Sequence, residues 1–236
     1  CVMGDGRYQW MLNKKTKVEP RYGAYEYHCS LKPELPMDLD GTQTFPVDPL
    51  YYESNNGSSH LPLKKTVDKV VFRDGFDPDS QYLFLDGLSN GGHKHYDGNS
   101  ISRITENRRI WLADCDYIKS LPKFHNGVLI FKNGQSAEIP PFVELERTAD
   151  FKQTGFSETT LREYSGVDWH RNIIWNRGRY FLVVDEMEAR VEDDYTFRAV
   201  WQTLGNVKVQ NGGLAVEQDG EQFFITGLSG TTLKLE

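Results

Sequence analysis

Two histidines one residue apart, His93 and His95, stand in the stretch LSNGGHKHYDGNS, residues 88–100, with Asp97 two positions further on. On an extended chain residues i and i+2 share a face, so both imidazoles and the carboxylate can address one site. Neutral imidazole and carboxylate are ordinary zinc donors, and two of the first with one of the second leave a fourth position for water or another group. Other segments offer companions: WLADCDY brings Asp114 and Asp116, and DWHRN brings His170. A set built this way uses one histidine of the pair and leaves the other for acid–base work or substrate contact near neutral pH. The competing reading of the pair is two solvated histidines in a glycine loop.

The elements that would position these residues are strands. From Asp68 onward short alternating runs recur about every ten residues. KVVFRDG, QYLFLDG, RIWLADC, GVLIFKNGQ, HRNIIWN, RYFLVVDEMEA, TFRAVWQTLG, LAVEQDG and EQFFITGL each read as a strand. The turns KNGQ, NRGR, QNGG and QDGE supply the residues that tolerate positive φ in tight hairpins. ITENRRI reads as a solvated turn between two strands. The spacing predicts an all-β fold, a large antiparallel β-sandwich. Residues 1–66 carry Pro20, Pro33, Pro36, Pro46, Pro49 and Pro62 with little apolar periodicity, and read as an irregular lead-in packing on a sandwich of residues 67–236.

Composition bounds the rest. The chain has 236 residues, 13% of them aromatic, with 21 glycines and 10 prolines, which suits a turn-rich β protein. With 34 acidic against 27 basic side chains its net charge of −7 repels polyanions, so nucleic acid is not an expected partner and an acidic polymer would need a local basic patch. No apolar run approaches the roughly 18 residues that span a bilayer, so no membrane is expected. Cys1, Cys29 and Cys115 lie too far apart for a CxxC pattern. The chain begins on Cys and ends in KLE, and reads as a piece of a longer protein.

A cupin metal site would want a glutamate soon after the second histidine, and the first one after His95 is Glu106. The chain instead resembles the heparinase II/III-like polysaccharide lyases. The resemblance rests on FRDGFDPDSQYLFLDGLSNGGHKHYDGNSISRI, RIWLADCDY, KFHNGVLIFKNGQ and DWHRNIIWNRGRYFLVVDEMEA, which follow one another in the family's order over roughly residues 66–203. It implies the sandwich half of an α/α-toroid plus β-sandwich lyase, with a cleft between the two domains. It further implies His93 as the catalytic or substrate-binding group facing the cleft, and His95, Asp114 and His170 as ligands of a buried, structural zinc. Asp116 is the alternative to Asp114 in register.

The implied reaction removes the C5 proton of a 4-linked uronate and expels the C4 oxygen, so the site must stabilise developing negative charge and provide a base. The family's main tyrosine belongs to the toroid, for which residues 1–66 are too short and too rich in proline. The missing N-terminal helical toroid domain is therefore an expected partner, and the isolated chain is expected to be inactive unless Tyr117 or Tyr96, which flank the site, serves as base. Lys94, Arg103, His125 and Asn126 are the candidates for binding an acidic polysaccharide, with Arg108 and Arg109 behind them. A secreted or periplasmic location follows from the resemblance alone. The alternative function is a non-catalytic carbohydrate-binding sandwich that docks sugar on exposed aromatic faces, whereas Trp111, Trp169, Trp175 and Trp201 read mostly as core.

Overall fold

Alternation, turn chemistry and one helix cap account for the elements. The structure is a computed structural model that describes residues 6, 7, 10, 31–55, 60–89, 95–114, 119–210 and 212–227. The chain divides into two compact units, Cys1–Asp40 and Gly41–Glu236. In the first, a short 3-10 turn spans Met37–Leu39, and Arg7 pairs with Asp38. The second holds every strand among the described residues.

One five-stranded sheet runs in the order β1 (Gly41–Phe45), β3 (Lys69–Arg73), β4 (Tyr82–Asp86), β5 (Ile101–Glu106) and β6 (Arg109–Ala113). The other runs β11 (Tyr180–Ala189), β10 (Val167–Asn176), β9 (Thr154–Tyr164), β8 (Val143–Asp150) and β2 (Thr66–Val67). β7 (Val128–Lys132) pairs with β12 (Tyr195–Ala199), and β13 (Asn206–Gln210), β14 (Gly213–Gln218) and β15 (Glu221–Thr226) form a meander. All the pairings are antiparallel. This is the all-β sandwich expected from the spacing. The lead-in differs from expectation, because β1 and the helix α1 (Pro49–Asn55) fall before residue 66 and within the sheet-bearing unit. α1 forms there because the Asp48 carboxylate accepts the N–H groups of Leu50 and Tyr51 at 2.9 and 3.1 Å while Pro49 occupies the first helical position, where no N–H is needed.

The core lies between the sheets. Phe72, Leu83, Leu85, Ile101 and Leu112 of the first sheet meet Leu161, Trp169, Ile173 and Trp175 of the second in one cluster. Phe72 meets Trp175 edge-on at 5.9 Å, and Trp175 stacks on Phe181 at 6.0 Å. The indole N–H of Trp175 donates to the side-chain carbonyl of the buried Gln81, which also accepts the N–H of Gly178 at 3.1 Å. Gln81→Leu orphans both donors, and is expected to lower the urea unfolding midpoint by the equivalent of about 1–3 kcal/mol with an unchanged slope. An unchanged midpoint would mean that water replaces the amide.

On β10 the alternation is strict from Trp169 onward: Trp169, Arg171, Ile173 and Trp175 are buried, while His170, Asn172 and Ile174 and Asn176 are less so. Near His170 the outer face of this sheet carries charged side chains. Arg162 there bonds Glu144, Glu146 and Asp168. Burial alone would raise the Glu144 carboxyl, but the bonds from Lys65 and Arg162 hold it below the usual range.

Candidate metal centre

Antiparallel neighbours bring the start of one strand beside the end of the next. β5 begins and β6 ends on the same side of the first sheet, so residues just before Ile101 and just after Ala113 come together. Asp114 follows β6 at once, its N–H donating to Ser102 O at 2.9 Å. Asp97 comes four residues before β5, in a segment folded by left-handed residues at Tyr96 (φ 58°) and Asn99 (φ 66°). There Tyr96 N–H donates to Ser89 O, Ser100 N–H to Asp97 O and Asn99 N–H to Asp86 O, at 2.8–2.9 Å. The third member, His125, closes a 3-10 turn at Pro122–Phe124 that leads into β7. Its neighbour Asn126 locks this turn to β5 by exchanging bonds with Ile101, N–H to carbonyl at 3.0 Å and side-chain amide to carbonyl at 2.8 Å. Two glycines let these backbones close up. A Cβ at Gly98 would overlap Ser89 Oγ, and one at Gly127 would lie 2.5 Å from Ser100 Oγ.

The outcome is a set of three side chains whose donor atoms all lie within 4.8 Å of one another: Asp97, Asp114 and His125. His125 is 1% exposed and Asp97 4%. His125 Nδ1 bonds Asp114 Oδ1, whereas His125 Nε2 and Asp97 Oδ1 are buried with no hydrogen-bond partner. Buried polar atoms without partners are costly, and a cation would satisfy both at once. The donor set of one imidazole and two carboxylates fits zinc. Asp114 can serve as a ligand or as the carboxylate that orients the imidazole ring.

Protonation tells the same story. Burial, then the charges of Asp86 and Asp114, push the Asp97 carboxyl up to about 8. Burial pushes Asp86 up to about 6. Burial would lower His125, but its bond to Asp114 and the charges of Asp114 and Asp97 raise it. Without a metal the cluster therefore holds protons in place of positive charge.

The structure places the other candidates as follows. His95 stands at the rim, its side chain 36% exposed and its Nδ1 3.6 Å from Asp97 Oδ2. His170 is not part of the cluster. It sits on the outer face of β10, opposite Thr160 in register, with Nδ1 2.9 Å from Thr160 Oγ1 and Nε2 3.6 Å from Glu188. Asn126 is buried and holds the His125 turn. Arg103 is exposed on β5. Arg108 is clamped on Asp79 at 3.0 and 3.1 Å, and Arg109 donates to Gln218 O, so both brace turns. The Tyr96 hydroxyl bonds Glu138. His93, Lys94, Asp116 and Tyr117 lie outside the described residues. Trp111, Trp169 and Trp175 are buried and offer no face for docking sugar, and Trp201 is half-buried. Asp97 and His125 are both evident in the sequence, but nothing there joins them: Asp97 groups with the histidine pair and His125 with the residues expected to bind an acidic polysaccharide.

No family model matches the sequence, and no curated protein matches it. Solved structures do. The fold is similar to a crystal structure of heparinase III, with a TM-score of 0.55 at 15% identity over 66% of this chain and 27% of that one. A heparinase III gene product with methylated lysines superposes with a TM-score of 0.61 at 15% identity, covering 79% of this chain and 32% of that one. Heparan sulfate lyase HepC from Pedobacter heparinus gives 0.60 at 14% identity, covering 77% and 32%. The chain thus spans about a third or less of the length of these structures. No helix among the described residues is long and apolar enough to cross a membrane.

Proposed function

We propose that this chain is the β-sandwich domain of a polysaccharide lyase that cleaves a uronic-acid-containing polysaccharide by β-elimination, with a structural zinc and a cleft histidine, His93. The observation that supports this reading is the Asp97, Asp114 and His125 set, with Asp97 and His125 buried and each carrying an orphan donor atom, in a fold similar to solved heparan sulfate lyases. Asp97, Asp114 and His125 hold the zinc, and His95 at the rim contributes the fourth ligand. Bound there, zinc supplies a fixed positive cross-link and not a hydroxide, since elimination uses no water nucleophile. The residues themselves do the positioning. Asp97 anchors the segment that carries His95, and Asp114 and His125 tie that segment to β6 and to the entry of β7. His93 donates to the sugar carboxylate or takes the C5 proton. Lys94 and Arg103 supply positive charge for the acidic polymer, and a helical toroid domain is the partner that completes the cleft. Such an enzyme meets its polymer outside the cytoplasm, in the periplasm or as a secreted protein.

The test is zinc content of the purified chain, combined with ultraviolet absorbance of unsaturated uronate on a panel of uronate polymers, with and without the helical domain. The expected result is one zinc per chain, no product alone, and product in the mixture that disappears with His93→Ala. Absence of both zinc and product in every combination would refute the reading. Product that survives His93→Ala would move the chemistry to another residue, Tyr117 first.

A further inference from the structure

We propose that Arg171 is the positioning residue of this centre: its buried guanidinium, held by Asp185, fixes the two backbone segments that carry Asp97 and His125 against β10. The inference rests on the zinc reading above for its functional consequence, though not for its geometry. In the His170–Arg171 pair, strand alternation sends the histidine to the outer face and the arginine into the core.

Arg171 is 0% exposed. A guanidinium in such a place is costly unless its N–H groups find acceptors. Nε and Nη2 make a two-pronged pair with Asp185, at 2.8 and 2.9 Å. Nη1 is left to reach inward, and it donates to two backbone carbonyls: Asn99 O at 2.8 Å and Asn126 O at 3.1 Å. Asn99 follows Asp97 by two residues, and Asn126 follows His125 directly. One nitrogen therefore joins two segments that lie 27 residues apart in the chain but supply two of the three members of the cluster.

The rest of the setting aims this nitrogen. Trp169 donates its indole N–H to Asp185 Oδ1 at 2.8 Å, and the guanidinium lies 4.6 Å over the Trp169 ring. Asn99 adds a second tie, its amide donating to Trp169 O at 3.3 Å while its side-chain carbonyl accepts from Thr159 Oγ1 at 2.7 Å. For stability alone, apolar packing often serves as well as a buried ion pair. What the planar fork adds is two carbonyls held at fixed directions from one rigid strand, which a lysine's single ammonium does not reproduce. Ligands held in this way keep the spacing that a metal requires, and loss of such outer supports weakens metal affinity by about 10- to 100-fold.

The experiment compares Arg171→Met and Arg171→Lys with Leu161→Ala, a core truncation that matches their loss of stability but touches neither carbonyl. Zinc affinity is read by competition with a chromophoric chelator, and ligand geometry by the visible spectrum of the cobalt(II)-substituted protein. The expected result is an affinity about 10- to 100-fold weaker in both arginine variants with an altered cobalt spectrum, against a change within about twofold and an unaltered spectrum in Leu161→Ala. If Arg171→Met does not fold, Arg171→Lys carries the comparison. Wild-type affinity and spectrum in a folded Arg171 variant, or an equal loss in Leu161→Ala, would overturn the proposal. If the wild type takes up no zinc, the metal reading fails and the brace is judged in the metal-free protein. Amide exchange at Ile101 and Gly127, which bond Asn126 O and His125 O, is then about tenfold faster in Arg171→Lys than in Leu161→Ala, and equal rates overturn the brace.

Discussion

A chain carrying His125→Ala emerges from gel filtration with less than about a tenth of an equivalent of zinc, and so does one carrying Asp114→Ala. Structural zinc contributes on the order of 10 kcal/mol or more of apparent binding free energy in small domains, and that figure depends on every protein ligand being present. His125 supplies the one imidazole of the buried set, with Nε2 bare and Nδ1 on Asp114. Removing it leaves two carboxylates and the rim imidazole of His95 around a cavity. Removing Asp114 leaves the imidazole without its orienting partner and takes away an oxygen donor. His170→Ala provides the contrast, because that ring bonds Thr160 on the outer face, and its zinc content stays at one equivalent. Zinc loss in His170→Ala with retention in His125→Ala would move the metal to the ligand set that the family resemblance implies.

The second large effect changes sign with metal. Asp97→Asn stabilises the zinc-free protein at pH 8 and destabilises the protein when zinc is present. An unfolded aspartate titrates near 3.8, whereas burial holds Asp97 at about 8 and the half-buried Asp86 at about 6. Between those limits the native state binds more protons than the unfolded one, so its stability is fully present below about pH 4 and is lost as pH rises through about 6 and then about 8. Raised carboxyls of this kind correspond to on the order of several kcal/mol of stability as an upper limit, and Asp97, raised further than Asp86, contributes the larger share. Asparagine keeps the shape without the ionisation, so the advantage of the variant is absent near pH 4 and grows toward pH 8. In a domain of this size several kcal/mol is a difference in melting temperature of about 10 °C. With zinc bound, the charged carboxylate is the required form and the variant loses. Melting curves of both proteins from pH 4 to pH 8, with chelator and with zinc, test this. A difference that does not vary with pH in chelator would refute the protonation account.

Most strands were legible because their apolar residues alternate. QYLFLDG became β4, with Leu83 and Leu85 buried and Tyr82, Phe84 and Asp86 turned outward. QDGE supplied Asp219 and Gly220 at positive φ between β14 and β15. β9 was not legible. Its inward positions include Gly155, Ser157 and Thr159, so a strand with one buried face carries no apolar alternation over half its length. β5 was hidden for a related reason, since ISRITE buries only Ile101 and Ile104.

The centre was half legible for reasons of sequence distance. His95, Asp97 and Asp114 lie close in the chain or end an evident strand, whereas His125 joins them only through the 3-10 turn and the Asn126 bonds to β5. The His-Arg pair of DWHRN drew attention to its metal-binding residue type. Strand parity decided otherwise, turning His170 outward and Arg171 toward the site.

The most direct measurement is a pair of anomalous difference maps from crystals of the purified chain, recorded on either side of the zinc absorption edge. The account predicts one peak, present only above the edge, within coordination distance of Asp97, Asp114 and His125. No peak, or a peak at His170, would contradict it.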